Sequence, residues 1–281
     1  MAKLVGAFCV PHIPLIASQP GVANKRQFRN VMDGFTRIRS RLTELKVDTV
    51  IVIGDDHYTV FGPHCLPSML IGIGDIEGPH EDWLKNKRAP IANNPELAAH
   101  IMRFGHDHDF DWAVAKSITI DHSIFIPYLK IVKELEGVRM IPVYIAAGVA
   151  PLIKTKRCIE LGKMIRDAVD VYDGAERVAI IGTGGLSHWV GTEEMGDVNE
   201  EFDLAILDMV ERRDIEALTG LSDDFVLQTA GNGALEFRNW LVAIAAAGQY
   251  DYELICYEPI NQWVTGTAMV ELRAVSIHSG S

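Results

Sequence analysis

Short apolar runs rich in β-branched residues alternate along the chain with segments whose apolar residues recur at helical spacing. The apolar runs predict strands at 4–10, 48–54, 140–146, 177–185, 253–259 and 267–273. The helical spacing predicts helices at 26–46, 96–105, 153–171, 200–211 and 233–247. This alternation is typical of an α/β fold with a mostly parallel or mixed central sheet and helices on both of its faces. No repeat, low-complexity tract or linker divides the sequence, so we expect a single catalytic domain over 1–281.

One stretch departs from the alternation. Residues 63–95 are rich in Pro, Gly and Asn and contain one short apolar run, MLIGIG. Such a composition favours turns and loops. We therefore expect a partly irregular excursion from the sheet between the second strand and the second helix.

Composition narrows the range of partners. The formal net charge is −12, and no run or stripe of Lys and Arg interrupts the acidic balance. Nucleic acid and anionic membrane surfaces are therefore poor partners. No apolar run is long enough to span a bilayer, and the first residues show no leader-like cleavage pattern. The four cysteines form no CxxC pair, which gives a zinc ribbon no support and favours reduced thiols in a cytoplasmic protein.

Histidines follow three of the predicted strands. His12 follows the first, His57 follows the second after Asp55-Asp56, and His188 follows the strand that ends in GTGG. In an open α/β sheet, ligands bind beyond the carboxyl ends of the strands. We expect these three histidines, together with His122 of the DHS segment, to meet in one cleft. The other histidines are interpreted as structural or surface residues: His64, His80, His100, His106, His108 and His278.

The first of these histidines lies between two prolines. Pro11 and Pro14 have fixed φ angles and no amide donor, so the loop that carries His12 is stiff. A stiff loop suits a metal ligand or a catalytic base, and it equally suits a histidine that caps a strand. Taken alone, this motif favours the strand cap.

A single carboxylate interrupts the last predicted helix. On helical spacing, Glu236 shares a face with Trp240, Ala243 and Ala247. If the carboxylate is buried it needs a partner; if it is exposed it complements the positive end of the helix. The two interpretations have equal weight on this residue alone. Two histidines and one carboxylate, however, are the set of ligands that holds non-haem Fe(II) in many oxygenases.

These motifs also occur together in a known family. PHIP, GDDH, DHS, GGLSHW and ALEFRNW follow one another in an order that resembles the class III extradiol dioxygenases, most closely the catalytic β subunit of protocatechuate 4,5-dioxygenase and its gallate-cleaving relatives. The likeness extends over nearly the whole chain. It implies that His12, His57 and Glu236 bind Fe(II). It further implies that His188 is the catalytic acid and base, and that His122 contacts the substrate or bound oxygen.

Residues beside these motifs receive secondary roles. Asp55 and Asp56 either orient an imidazole or cap the end of the strand. Ser187 and Trp189 flank His188 and are expected to shape the pocket, Trp189 by packing rather than by chemistry. Arg238 lies two positions beyond Glu236 and should face elsewhere, so no clamp for a substrate carboxylate is identified.

The resemblance implies an activity. Both atoms of O2 would enter a catechol-type ring, protocatechuate- or gallate-like, and open it beside its two hydroxyls to a muconic-semialdehyde-type product. Aminophenols and catechols without a carboxylate stay open as substrates, and the choice is expected in the C-terminal strand region and in residues 63–95. The protocatechuate enzymes have a small α subunit as a lid, so we expect either such a partner chain or a site closed by the chain itself in a homo-oligomer.

Two other functions stay open at this point. A zinc hydrolase or lyase would use the same His and Glu ligands. A binding or signalling protein on the same fold would have lost its metal, although the presence of His12, His57 and Glu236 counts against that interpretation.

Overall fold

The central sheet of the protein is mixed. A computed structural model describes residues 1–274 of the 281-residue chain, and His278 lies outside the described residues. The strands are β1 (Lys3–Val10), β2 (Thr49–Gly54), β3 (Met69–Gly78), β4 (Ala89–Ile91), β5 (Ala113–Thr119), β6 (Arg139–Ile145), β7 (Arg177–Thr183), β8 (Tyr250–Ile260) and β9 (Thr265–Ala274). Their order across the sheet is β4-β3-β6-β2-β7-β1-β9-β8, and β5 also pairs with β3. The predicted fold class is confirmed.

The middle of the sheet is parallel. In β6-β2-β7-β1 all strands run in one direction, and Val50 of β2 pairs with both Met140 of β6 and Ala179 of β7. Antiparallel pairs flank this core, β3 against β6 on one side and β9 against β1 on the other. The loops that follow β1, β2 and β7 therefore all leave the sheet at the carboxyl ends of its parallel strands, as the sequence predicts.

Helices cover both faces of the sheet. They are α1 (Leu15–Ser18), α2 (Lys25–Glu44), α3 (Pro95–His106), α4 (His122–Lys130), α5 (Thr155–Asp170), α6 (Glu200–Glu211), α7 (Ile215–Gly220), α8 (Asp223–Ala230) and α9 (Phe237–Ala247). On one face, α2 and α4 pack on residues such as Phe8 and Val52. On the other, α5 and α9 pack on residues such as Cys9 and Ile51. Because both faces are buried, the central strands are apolar throughout.

The edge region is more regular than predicted. The excursion at 63–95 contains β3 and the short β4, and the segment between them includes a 3₁₀ turn, Asp82–Leu84. Neither β5 nor α4 is evident from the sequence pattern, because β5 is mostly polar or half-exposed and α4 is short and carries Pro127. The last predicted helix begins as a 3₁₀ turn, Gly233–Glu236, which leads into α9.

Two further observations bear on the sequence predictions. None of the helices in the part of the chain that the structure describes is long and apolar enough to cross a membrane. The four cysteines are unpaired, and Cys9, Cys158 and Cys256 are buried.

Candidate active site

A cluster of side chains lies at the carboxyl ends of the parallel strands. His12 follows β1, His57 follows β2, and His188 follows β7. Glu236 comes from the other direction, at the start of α9. That helix packs so tightly on β7 that a Cβ placed on Gly182 would lie 2.5 Å from the carbonyl oxygen of Asn239. The close packing brings the first turn of α9 to the strand ends.

Glu236 is the centre of the cluster. Its Oε2 lies 3.2 Å from His12 Nε2 and its Oε1 lies 3.0 Å from His57 Nε2. Oε2 also accepts a hydrogen bond from the backbone amide of Gly185 at 3.1 Å. With a relative exposure of 2%, the residue is buried and partnered. The interpretation of Glu236 as an exposed helix-end carboxylate is therefore wrong.

The charges of this cluster support one another. Burial raises the pKa of Glu236, but the charges of His12 and His188 outweigh it and hold that pKa well below its usual range. Burial lowers the pKa of His57, but Asp55, Asp121 and Glu236 raise it well above its usual value. Glu236 and His188 thus each favour the charged form of the other, and Glu236 also favours the charged form of His57.

Each imidazole is held by its second nitrogen. His12 Nδ1 is hydrogen-bonded to Thr183 Oγ1 at 3.0 Å, and His57 Nδ1 lies 3.1 Å from Asp121 Oδ2. With Nδ1 engaged in both rings, Nε2 of each ring is directed at Glu236. This arrangement is typical of histidines that bind a metal through Nε2.

Asp121 orients His57, a role that the sequence analysis missed. Its other oxygen accepts hydrogen bonds from Ser123 Oγ at 2.7 Å and from the Tyr144 hydroxyl at 3.0 Å. Burial raises the pKa of Asp121, but the hydrogen bond from His57 and the charge of His122 leave it lower than usual. The available signal was its position beside His122 in the DHS motif.

The two aspartates before His57 have different roles. Asp56 accepts hydrogen bonds from the backbone amides of residues 59–61 and caps the loop, as in the strand-end interpretation. Asp55 is fully buried, and its Oδ1 accepts a hydrogen bond from Asn239 at 2.6 Å. Its Oδ2 has no hydrogen-bond partner among the described residues and lies 3.9 Å from His57 Nε2. Burial and the charge of Glu236 raise the pKa of Asp55 to about 6.

This geometry fits a metal ion. Ligand atoms of His12, Asp55, His57 and Glu236 all lie within 4.8 Å of one another. The Oδ2 atom of Asp55, which has no hydrogen-bond partner among the described residues, lies beside these ligand atoms. A bound cation would compensate the cost of burying it. Imidazole nitrogens with carboxylate oxygens are ligands that both Fe(II) and Zn(II) accept.

His188 presents one nitrogen to the cluster. Its Nδ1 donates to the carbonyl of Leu186 at 3.0 Å, and its Nε2 lies 3.6 Å from Glu236 Oε1. Since a carbonyl can only accept, the neutral ring carries its proton on Nδ1 and a lone pair on Nε2. Burial lowers the pKa of His188, but the charge of Glu236 leaves it raised. A Cβ placed on Gly233 would lie 2.0 Å from His188 Nε2, so only glycine fits behind the ring.

His122 lies at the first position of α4. Its ring centroid is 4.2 Å from that of His57, and its Nδ1 is 2.6 Å from Glu81 Oε1. Burial and the charge of His57 lower the pKa of His122. Glu81 is the second contact that the sequence analysis missed, because it comes from the excursion and no motif marks it.

A cavity of about 380 Å³ opens over the cluster. Its wall contains His12, His57, His122, His188 and Glu236, and also Ile13, Pro14, Leu15, Thr59, Trp83, Gly185, Val190, Met195, Trp263, Val264 and Thr265. The four predicted histidines therefore share one cavity, within the size range of small-molecule sites. None of the other histidines in residues 1–274 lines it.

The residues that flank His188 lie behind the wall. Ser187 donates through its amide and its hydroxyl to Asp203 of α6, at 2.7 and 3.0 Å. Trp189 is half-buried and lies near Gly231. Both support the loop rather than line the cavity. Arg238 is buried and bonds to the carbonyls of Ile153 and Leu235, away from the cluster, as predicted.

Proteins of known name resemble this chain along its length. A protein of Photorhabdus laumondii named 2,3-dihydroxyphenylpropionate/2,3-dihydroxicinnamic acid 1,2-dioxygenase is 23% identical, over 97% of this chain and 98% of its own. A protein of the same name from Mycolicibacterium gilvum is 25% identical, over 96% and 98%. The crystal structure of an uncharacterized protein from Escherichia coli K12 shares the fold, with a TM-score of 0.60 at 12% identity over 95% of this chain and 99% of that one.

A further match identifies the family of this chain. Residues 6–268 match the family described as the catalytic LigB subunit of aromatic ring-opening dioxygenase. This range contains every residue of the cluster. The chain therefore belongs to the LigB family and is an extradiol aromatic ring-opening dioxygenase.

Proposed function

We propose that the protein is an Fe(II)-dependent extradiol dioxygenase that inserts both atoms of O2 into a catechol-type ring. His12, His57 and Glu236 would hold the metal. The observation that carries the proposal is the convergence of two imidazole Nε2 atoms on one buried carboxylate, within 3.2 Å, at the base of a cavity. The unpartnered oxygen of Asp55 adds support for a cation at this place.

The metal, when bound, supplies a positive charge that lowers the pKa of a substrate hydroxyl, and a place for electron transfer from ring to oxygen. Residues of the protein would transfer the protons. His188 Nε2 carries the lone pair that faces the cluster, so it would take the proton of a substrate hydroxyl and return it during ring opening. His122, on the wall of the same cavity, would contact the substrate or its oxygen atoms.

The substrate would be a catechol-type aromatic ring. Protocatechuate and gallate are candidates from the family resemblance, and 2,3-dihydroxyphenylpropionate is a candidate from the names of the relatives. Side chains such as Ile13, Leu15 and Trp263 give the cavity a largely apolar wall, which suits an aromatic ring. An aminophenol, with an amino group in place of one hydroxyl, suits the same apolar wall and is the second candidate. A lid subunit, a homo-oligomer and a cytoplasmic location stay predictions.

The test is anaerobic reconstitution of the full chain with Fe(II), followed by oxygen uptake on each candidate. We expect one O2 consumed per ring and a yellow ring-opened product with at least one of protocatechuate, gallate, catechol, 2,3-dihydroxyphenylpropionate and 2-aminophenol. The zinc-loaded protein is the control and should consume none. Bound iron without uptake on any of these substrates would contradict the proposal. Turnover by the zinc-loaded protein without consumption of O2 would instead favour the zinc hydrolase or lyase.

A further inference from the structure

The helix that begins with His122 lacks a cap from its own neighbour. Aspartate is a preferred residue at the position before a helix, where its side chain accepts from a first-turn amide. Asp121 occupies that position in α4 but makes no such bond. Its carboxylate instead contacts His57, Ser123 and Tyr144. The first amides of α4 therefore need another acceptor.

Glu81 supplies that acceptor from 41 residues earlier in the chain. A single oxygen, Oε1, lies 3.1 Å from the backbone amide of His122 and 2.6 Å from its Nδ1. Glu81 is 5% exposed, and its Oε2 has no hydrogen-bond partner among residues 1–274. A carboxylate at this end of a helix is also favoured by the helix dipole. One carboxylate thus caps α4 and holds the imidazole of its first residue.

The segment around Glu81 is fixed to the chain just before α4. The amide of His80 donates to the carbonyl of Ile120 at 2.7 Å, and the amide of Ile120 donates to the carbonyl of Glu77 at 2.8 Å. Arg88 donates to the carbonyls of Pro79 and His80. Glu81 is therefore held in place from both sides and is not a mobile surface residue.

The same turn forms a wall of the cavity. Trp83 is two residues beyond Glu81, and its ring centroid is 5.8 Å from that of His122. The contact between Glu81 and His122 thus joins the cavity wall to a histidine of the cluster.

We propose that Glu81 is a positioning residue that fixes His122 with its proton on Nδ1. Because Glu81 accepts at Nδ1, the neutral ring carries its lone pair on Nε2 and presents it to the cavity. The role that this gives His122 in turnover rests on the proposed function. The tautomer itself does not depend on it.

The test compares Glu81→Ala and Glu81→Gln in the full chain. Asp214→Ala is the matched control, because Asp214 caps α7 through the amide of Ala217 and lies outside the cavity wall. Nitrogen-15 spectra of the zinc-loaded proteins report the histidine tautomers. Oxygen uptake by the iron-loaded proteins reports kcat and KM, and metal analysis and thermal midpoints report integrity.

We expect the native protein to show the Nδ1–H tautomer at His122 and Glu81→Ala to lose it. The kcat of Glu81→Ala should fall about 10- to 100-fold, the same range as for residues that orient a metal-binding histidine, with metal content and KM little changed. Glu81→Gln keeps an acceptor oxygen and should recover part of the loss. Asp214→Ala should lower the thermal midpoint but leave kcat and the tautomer unchanged.

Two results would overturn the proposal. One is an unchanged His122 tautomer in Glu81→Ala. The other is a loss of kcat that merely follows the thermal midpoint, as in the control, since that would make Glu81 a helix cap only. If the native iron-loaded protein cleaves no catechol at all, the proposed function fails, and the spectra still decide the role of Glu81.

Discussion

The cavity has two sides of different construction. The strand-end group (His12, His57, His188 and Glu236) lies on loops and at a helix start that the parallel core holds in place. The Nε2 atom of each of its histidines lies within 3.6 Å of a carboxylate oxygen of Glu236. The edge group (Glu81, Trp83 and His122) comes from the excursion and α4, beside strands β3 and β5, and its Trp83 is 50% exposed. The difference indicates that the sheet core fixes the candidate metal ligands, whereas the edge of the sheet supplies His122 with its partner Glu81 and a more exposed part of the cavity wall.

The largest effect should come from the centre of the strand-end group. Glu236→Gln removes the charge shared by three histidines and should abolish ring cleavage. Metal affinity should fall by more than about 100-fold, the upper range for residues that only orient a ligand. Equilibrium dialysis with Fe(II) under argon measures this. Glu258→Gln, a buried carboxylate bound by Arg26 far from the cluster, is the control and should retain metal.

His188→Phe should separate chemistry from metal binding within the strand-end group. We expect kcat to fall by about 10²- to 10⁴-fold, as for loss of a general acid or base, with iron content unchanged. His100→Phe, outside the cavity, should have native activity. Loss of iron from His188→Phe would instead make His188 a metal ligand.

Asp121→Asn tests the contact that joins the two groups. Asp121 holds His57 and directly precedes His122, so its neutral analogue should weaken metal binding by about 10- to 100-fold. Tyr144→Phe removes one hydrogen bond to the Asp121 carboxylate and the acceptor of the Asp121 amide, but leaves the charge of Asp121 in place, and should have a smaller effect. An equal effect of both variants would show that the orientation of His57 does not depend on the carboxylate.

The pH dependence of metal binding should reflect the raised pKa of His57. In the metal-free protein, His57 stays protonated at pH values above the usual pKa of a histidine, because Asp55, Asp121 and Glu236 favour the charged ring. A metal must displace that proton, so affinity should rise with pH and fall about tenfold for each unit below the pKa of His57. Calorimetry in buffers of different ionisation enthalpy counts the protons released. Binding without proton release at pH 7 would contradict the raised pKa.

The smallest effect should come from Trp83, the exposed residue of the edge group. Trp83→Ala removes an aromatic wall but none of the strand-end group, and should raise KM by about two- to tenfold with kcat and iron content unchanged. Phe225→Ala, equally half-exposed but remote, is the control. A fall in kcat that exceeds the change in KM would mean that Trp83 itself acts in the chemical step.

The strand-end group could be predicted because its positions follow from local rules. Buried strands that end in glycine or proline place the next residues at one edge of a sheet, and His12, His57 and His188 each follow such a strand. Glu236 could be placed in the family motif, but its burial could not be predicted. Burial depends on the close packing of α9 on β7, which periodicity does not report.

The edge group could not be predicted for a different reason. Glu81 and His122 are 41 residues apart, and their contact depends on the pairing of β3 with β5, a strand that lacks a clear apolar alternation. The separate roles of Asp55 and Asp56 could not be predicted either. They are neighbours in sequence, yet one faces the cluster and the other caps a loop.

The glycines beside the cluster limit which substitutions the site accepts. A Cβ at Gly233 would lie 2.0 Å from His188 Nε2, and one at Gly148 would lie 2.8 Å from Asp55 Oδ2. Neither glycine lines the cavity, so a methyl group at either position would displace a polar side chain of the site without replacing any residue of the cavity wall. The tolerance of the site to the smallest possible substitution is thus set by two residues that have no side chain.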